Sequence, residues 1–220
     1  MPGVAHHVTQ RGNNRADVFY VDDDRRVYPR LLGDGAQRYG LRIEGYCLMT
    51  NHVHVVGVPE QEGSLARALG LANLRYTQYM NRMHGRSGRL WQNRFFSCPL
   101  DDAHRAAALC TIENNPVRAG MAKRPEDYAW SSAARHCGGP DPSGLLDASA
   151  CGREYPGDER RRVLAEYDPA SSVALRLHTR TGRALGSGSF ISKIAVALGR
   201  RVRPLPVGRQ KGWRKRKDGH

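Results

Sequence analysis

At 220 residues, with 35 Lys plus Arg against 21 Asp plus Glu and a formal net charge of +14, the chain can bury a substantial core and is basic enough to predict a polyanionic partner. Its five cysteines are odd in number and contain no C-x-x-C pair, which argues against a zinc knuckle or a disulfide framework. No apolar run approaches the length of a membrane span and the N-terminus lacks an apolar signal core, so a reduced, cytoplasmic protein without membrane contact is expected.

His6-His7-Val8-Thr9-Gln10-Arg11-Gly12 alternates and predicts a first strand, ending in the polar turn Gly12-Asn13-Asn14-Arg15. Its Asn and Arg donors could meet phosphate or base edges, though turn chemistry also explains them. His6 and His7 read as strand-face residues. Asp22-Asp23-Asp24 opens an amphipathic helix, interrupted or bent near Pro29 and closed by Gly40. Leu41 to Leu48 predicts a strand that pairs with the next one.

The stretch His52-Val53-His54-Val55-Val56 follows a polar corner at Thr50-Asn51. Successive strand side chains point to opposite faces, so His52 and His54 would project together while the valines face the core. Neutral imidazoles at this spacing make a two-ligand platform for a divalent metal. Two half-buried structural histidines would give the same pattern.

Ser64 is the expected N-cap of a long helix reaching Met83, with Tyr76 and Tyr79 placed either to pack on a sheet or to stack on bases. A glycine-loosened basic loop with Arg86, Arg89 and Arg94 beside Trp91 suits a nucleic-acid groove. Asp101-Asp102 caps a helix through to Asn115, ended by Pro116. Residues 138–144 are loop-rich, which divides the chain into a core over 1–137, a loop-rich and helical extension over 138–199 and a basic, flexible tail over 200–220. Helices are expected around 159–167 and 190–198. Nine cations among the last 21 residues, Arg214, Lys215 and Arg216 included, predict phosphate binding without sequence readout.

The order of these pieces resembles the REP-associated tyrosine transposases, single-tyrosine members of the HUH endonuclease superfamily. The resemblance rests on His7-Val8-Thr9-Gln10-Arg11-Gly12-Asn13, residues 45–56, Leu90-Trp91-Gln92-Asn93-Arg94-Phe95, Asn115-Pro116-Val117-Arg118-Ala119-Gly120, and Gly182-Arg183-Ala184-Leu185-Gly186-Ser187. It implies an α+β, ferredoxin-like antiparallel sheet backed by helices, with a basic helical C-terminal extension. It also implies metal-dependent cleavage and rejoining of single-stranded DNA beside hairpins, a step of DNA transposition and recombination. Magnesium or manganese would be held by His52, His54 and Asn115. The family's nucleophilic tyrosine maps to Thr111, four residues before Asn115, and an alkyl alcohol is a far poorer phosphoryl nucleophile and leaving group than a phenol.

Arg11, Asn13, Arg15, Arg86, Arg89, Arg94 and Arg118 are the expected core contacts to single-stranded or hairpin DNA. Both monomeric and homodimeric states are compatible with the resemblance. A non-catalytic hairpin-binding protein that needs no metal is the alternative. A basic RNA-binding protein, with Tyr76, Tyr79 and Trp91 stacking on bases, is a third reading.

Overall fold

The structure is a computed structural model that describes residues 1–147, 157–199 and 201–202. Four strands, β1 (Ala5–Arg11), β2 (Leu41–Met49), β3 (His52–Pro59) and β4 (Phe96–Leu100), form one antiparallel sheet in the order β2-β3-β1-β4. With α1 (Asp22–Tyr39) between β1 and β2, and α2 (Ser64–Met83) between β3 and β4, this is the ferredoxin-like arrangement of the expected α+β class. It continues through α3 (Asp102–Glu113), α4 (Asn115–Arg118), α5 (Ala133–His136), α6 (Gly157–Ala165), α7 (Ser171–Thr181) and α8 (Gly188–Leu198).

Strand alternation feeds two cores. Val8, Leu48, Val53 and Val55 meet Tyr28, Leu32, Leu69 and Tyr76 of α1 and α2, while Cys47, Met49, Val56 and Val58 meet Ala108, Leu109 and Ile112 of α3. The sheet is therefore buried on both faces, and on the α3 side it opens into a cleft at the histidine pair.

Several local expectations are corrected. α1 runs unbroken through Pro29. Its start is held by the buried Asp24 carboxylate, which accepts the amides of Tyr20 and Val21 and the hydroxyl of Tyr79. Ser64 is the first residue of α2 rather than its N-cap, because its hydroxyl accepts the Gln61 amide and Gly63 holds the cap position in a left-handed conformation. α3 stops at Glu113, so Asn115 opens the separate turn α4 instead of sharing one helix with Thr111; Pro116, just beyond, has no amide to continue the ladder. The helix expected around 159–167 spans Gly157–Ala165, and the one expected at 190–198 begins at Gly188, capped by the Ser187 hydroxyl on the Phe190 amide. α7 was not anticipated.

α1 and α2 touch closely at Gly35, where a methyl group would stand 2.6 Å from the carbonyl oxygen of Ala68. Gly35→Ala should gain about 1 kcal/mol in helix propensity yet lose about 1–3 kcal/mol to overpacking. A net fall in the urea midpoint is expected, and an increase would show that the two helices can separate freely.

Both outer strands are covered by later chain. Along β2, the Leu48 amide donates to Trp130 O, the Ser132 amide to Tyr46 O and the Asp147 amide to Ile43 O. Along β4, Leu185 forms a parallel bridge with Leu100, its amide donating to Pro99 O.

Candidate functional site

The tight Thr50-Asn51 corner joins β2 to β3 and sets the histidine pair. The carbonyl of Thr50 accepts the amides of Val18 and Phe19, and the Asn51 side-chain amide donates to Arg15 O at 3.0 Å. The other Asn51 side-chain atom, Oδ1, lies 2.6 Å from His52 Nδ1. An amide oxygen can only accept, so His52 carries its proton on Nδ1 and keeps a lone pair on Nε2. The register pairs Thr9 with His54 and Arg11 with His52, which puts His7, Thr9 and Arg11 on the same sheet face as the two histidines.

The rings of His52 and His54 are 4.9 Å apart and nearly perpendicular. His54 Nδ1 lies 2.9 Å from His7 Nε2, leaving its own Nε2 without a hydrogen-bond partner among the described residues. Burial is the main reason all three imidazoles are hard to protonate. It pulls His7 down to about 3 and, with help from Arg11, His52 down to about 4; His54 is held well below the usual histidine range by burial and by its neighbours His52, His7, Arg11 and Arg176. Near neutral pH all three are uncharged, the form that ligates metals.

These histidines line a cleft of about 820 Å³ together with Thr111, Asn115, Gln92, Met49 and the arginines Arg11, Arg15, Arg118, Arg176 and Arg180. Among the described residues no carboxylate lines it. Arg15 and Asn14 take left-handed backbone conformations (φ 61° and 51°), unusual for arginine, and the bend presents Arg15 to the cleft. Thr111 is almost wholly buried, and its hydroxyl donates back to Ala107 O at 2.8 Å within α3. The Asn115 side-chain oxygen accepts from Arg118 at 3.1 Å.

The cleft thus assembles His52, His54, Thr111, Asn115, Arg11, Arg15 and Arg118 from positions far apart in sequence. Arg86, Arg89, Arg94 and Asn13 are not among its lining residues. Arg86 lies over the Tyr20 ring and donates to its hydroxyl. The aromatic residues considered for base stacking serve the fold: Tyr76 is buried with its hydroxyl on Val18 O, Tyr79 donates to Asp24, and Trp91 is buried with its indole N–H on Asn73 O. Tyr128 is likewise buried, donating to Leu48 O. Arg214, Lys215 and Arg216 lie outside the described residues.

Arg176, Thr179 and Arg180 of α7 are cleft residues that went unread in the sequence. The available signals were Gly182 in the left-handed position just past the helix and the basic residues of its last turn. Among the described residues no group of three or more His, Cys, Asp or Glu side chains is assembled for a metal ion. A cation at the His52–His54 pair would therefore complete its shell with neutral or phosphate oxygens. The Nε2 atoms of His52 and His54 and the Asn115 amide oxygen, the last held by Arg118, are neutral donors among the cleft-lining residues that could hold one.

The family model for IS200-like transposases matches residues 2–115, just over half of the chain, and the chain belongs to that family. A solved REP-associated tyrosine transposase bound to a REP hairpin is similar in fold, with TM-score 0.54 and 18% identity over 70% of this chain and 93% of that one. A transposase-like protein from Deinococcus radiodurans R1 matches over 50% of this chain and 89% of that one, at 22% identity and TM-score 0.37. No curated protein matches in sequence. Among the described residues no helix is long and apolar enough to cross a membrane.

Proposed function

We propose that this protein binds hairpin-forming single-stranded DNA across the arginine-rimmed cleft and does not carry out its family's strand transfer. The observation that carries the reading is Thr111: the position resembling the family's nucleophile lines the same cleft as His52 and His54, but holds a short hydroxyl turned back onto Ala107 O. Among the described residues around the cleft, five arginines and no carboxylate favour a phosphodiester backbone, and the fold-level similarity to a transposase on a REP hairpin supports a hairpin.

His52 and His54 would hold a divalent cation through Nε2, with Asn115 contributing its amide oxygen on release from Arg118. Two imidazoles favour manganese over magnesium. Such a cation supplies charge neutralisation at a bound phosphate. The protein's own residues do the rest: Asn51 orients His52, Arg11 and Arg15 meet the backbone on the β1 side, and Arg118, Arg176 and Arg180 meet it on the helical side. With Thr111 in the nucleophile position and no tyrosine among the described residues that line the cleft, the cleft lacks a phenol suited to reversible transesterification.

The test is fluorescence anisotropy on a labelled single-stranded hairpin over a salt series, paired with a denaturing protein gel after incubation with manganese. Each phosphate neutralised on a single strand contributes about −0.7 to the slope of log K against log salt. Arg176→Ala with Arg180→Ala should flatten that slope by about 1.4, and the wild-type gel should show no covalent adduct. An adduct on the unmodified protein would sink the claim about strand transfer. Absence of hairpin binding at low salt would sink the DNA reading.

A further inference from the structure

We propose that His7 and Thr179 are positioning residues that hold His54 in the tautomer whose Nε2 lone pair faces the cleft, so that α7 helps set divalent-cation affinity. The inference rests on the metal-platform reading for its consequence, but the hydrogen-bond relay stands on its own geometry.

The direction of the relay follows from one fixed end. The Thr179 hydroxyl donates to Leu175 O at 2.7 Å inside α7, which spends its only proton. Its oxygen must therefore accept from His7 Nδ1, 2.7 Å away, so the His7 proton sits on Nδ1. A neutral imidazole with Nδ1 protonated has an acceptor at Nε2. The 2.9 Å contact between His7 Nε2 and His54 Nδ1 is then a donation from His54, and the lone pair of His54 is left on Nε2.

The remaining neighbours agree. Cys98 Sγ lies 3.3 Å from Thr179 Oγ1, and burial raises that thiol to about 11, so near neutral pH it can donate S–H to the same oxygen. His7, Cys98 and Thr179 are all nearly inaccessible to solvent. The His7 and His54 rings also lie nearly parallel, 5.2 Å between centroids. His52 reaches the same tautomer by the separate route through Asn51, so the two free nitrogens are set independently.

This couples two parts of the chain that sequence comparison keeps apart. The family match ends at residue 115, whereas Thr179 lies in α7 beyond it. Outer partners that fix a ligating histidine are commonly worth about 10–100-fold in metal affinity. Thr179→Val keeps the side-chain shape and removes the acceptor. His7 would then lower its energy by moving its proton to Nε2, donating to His54 Nδ1 and pushing the His54 proton onto Nε2, where it blocks a cation.

The experiment is nitrogen-15 NMR of the histidine rings in the metal-free protein, together with manganese titration followed by electron paramagnetic resonance. The wild type should show His54 protonated on Nδ1. Thr179→Val should show it protonated on Nε2 and bind manganese at least about tenfold more weakly, while Thr179→Ser, which retains the hydroxyl, should resemble the wild type in both. His54 protonated on Nε2 in the wild type overturns the proposal whatever the variants do. Unchanged tautomer and manganese affinity in a folded Thr179→Val also overturn it. A wild type with the Nδ1 proton but no manganese binding supports the relay and removes the metal reading.

Discussion

Thr111→Tyr should convert the protein from one that leaves no covalent mark on DNA into one that forms a phosphotyrosine adduct, visible as a shifted band on a denaturing gel with a labelled hairpin and manganese. Thr111 lines the cleft shared by His52, His54 and Asn115, so a longer side chain there enters the space that the histidine pair also faces. Long helical side chains also lean back over the preceding turn, away from the α3 terminus. The phenol would restore a nucleophile and leaving group with a pKa of about 10. Adding His52→Ala to Thr111→Tyr should reduce the adduct on the order of a hundredfold or more, the usual cost of removing a charge-stabilising contact. If Thr111→Tyr binds hairpin yet forms no adduct, the cleft has lost more than its tyrosine.

The largest stability effect is expected at Glu113. This carboxylate is buried in α3, with Arg160 Nη2 at 2.6 Å from one oxygen and Ser132 Oγ at 2.6 Å and His136 Nδ1 on the other. Replacing Glu113 by Ala removes the carboxylate that faces the buried Arg160 guanidinium, a change that commonly costs about 3–5 kcal/mol. Thermal and urea unfolding should both register it, and a loss below about 1 kcal/mol would mean that water reaches the pair. Glu113→Gln with Arg160→Met should recover part of the loss by removing both charges.

The same group carries a pH signature. Burial is the largest single influence and would raise the Glu113 pKa, but Arg160, His136 and Ser132 together outweigh it and hold the group at about 2 against an unfolded value of 4.5. A depressed carboxylate stabilises the fold fully above its unfolded pKa, and that contribution fades as pH falls from about 4.5 toward 2. The wild-type melting temperature should drop across this window, and the drop should be shallower in the double variant.

The histidine platform was legible because a strand has period two: His52 and His54 needed no knowledge of their neighbours to share a face. Arg11, Arg15 and Arg118 were legible as local cations, and their convergence follows from strand pairing and the α3–α4 turn. His7 was visible only as a strand residue, since its contact with His54 depends on a register that pairs Thr9 with His54 and on a threonine 172 positions further along. α7 escaped notice for a physical reason. Its sequence is short, its N-cap position is Ala170, which supplies no capping side chain, and its apolar pair at helical spacing, Val173 and Leu177, is exposed while Leu175 is buried, so the residues that pack are not those its apolar spacing picks out. Trp91 was misjudged in the other direction: beside arginines it suggested a groove, yet its indole closes the core over α2.

The chain that lies along β2 and β4 has a consequence for life at high concentration. An outer strand normally offers a row of free amides and carbonyls on which another polypeptide can template itself. Here residues 130–132 and Asp147 occupy such groups on β2, and Leu185 occupies them at the end of β4. At those positions the sheet offers no template for edge-to-edge growth, which protects a valine-rich strand system from amyloid-like stacking while leaving the cationic cleft open to solvent.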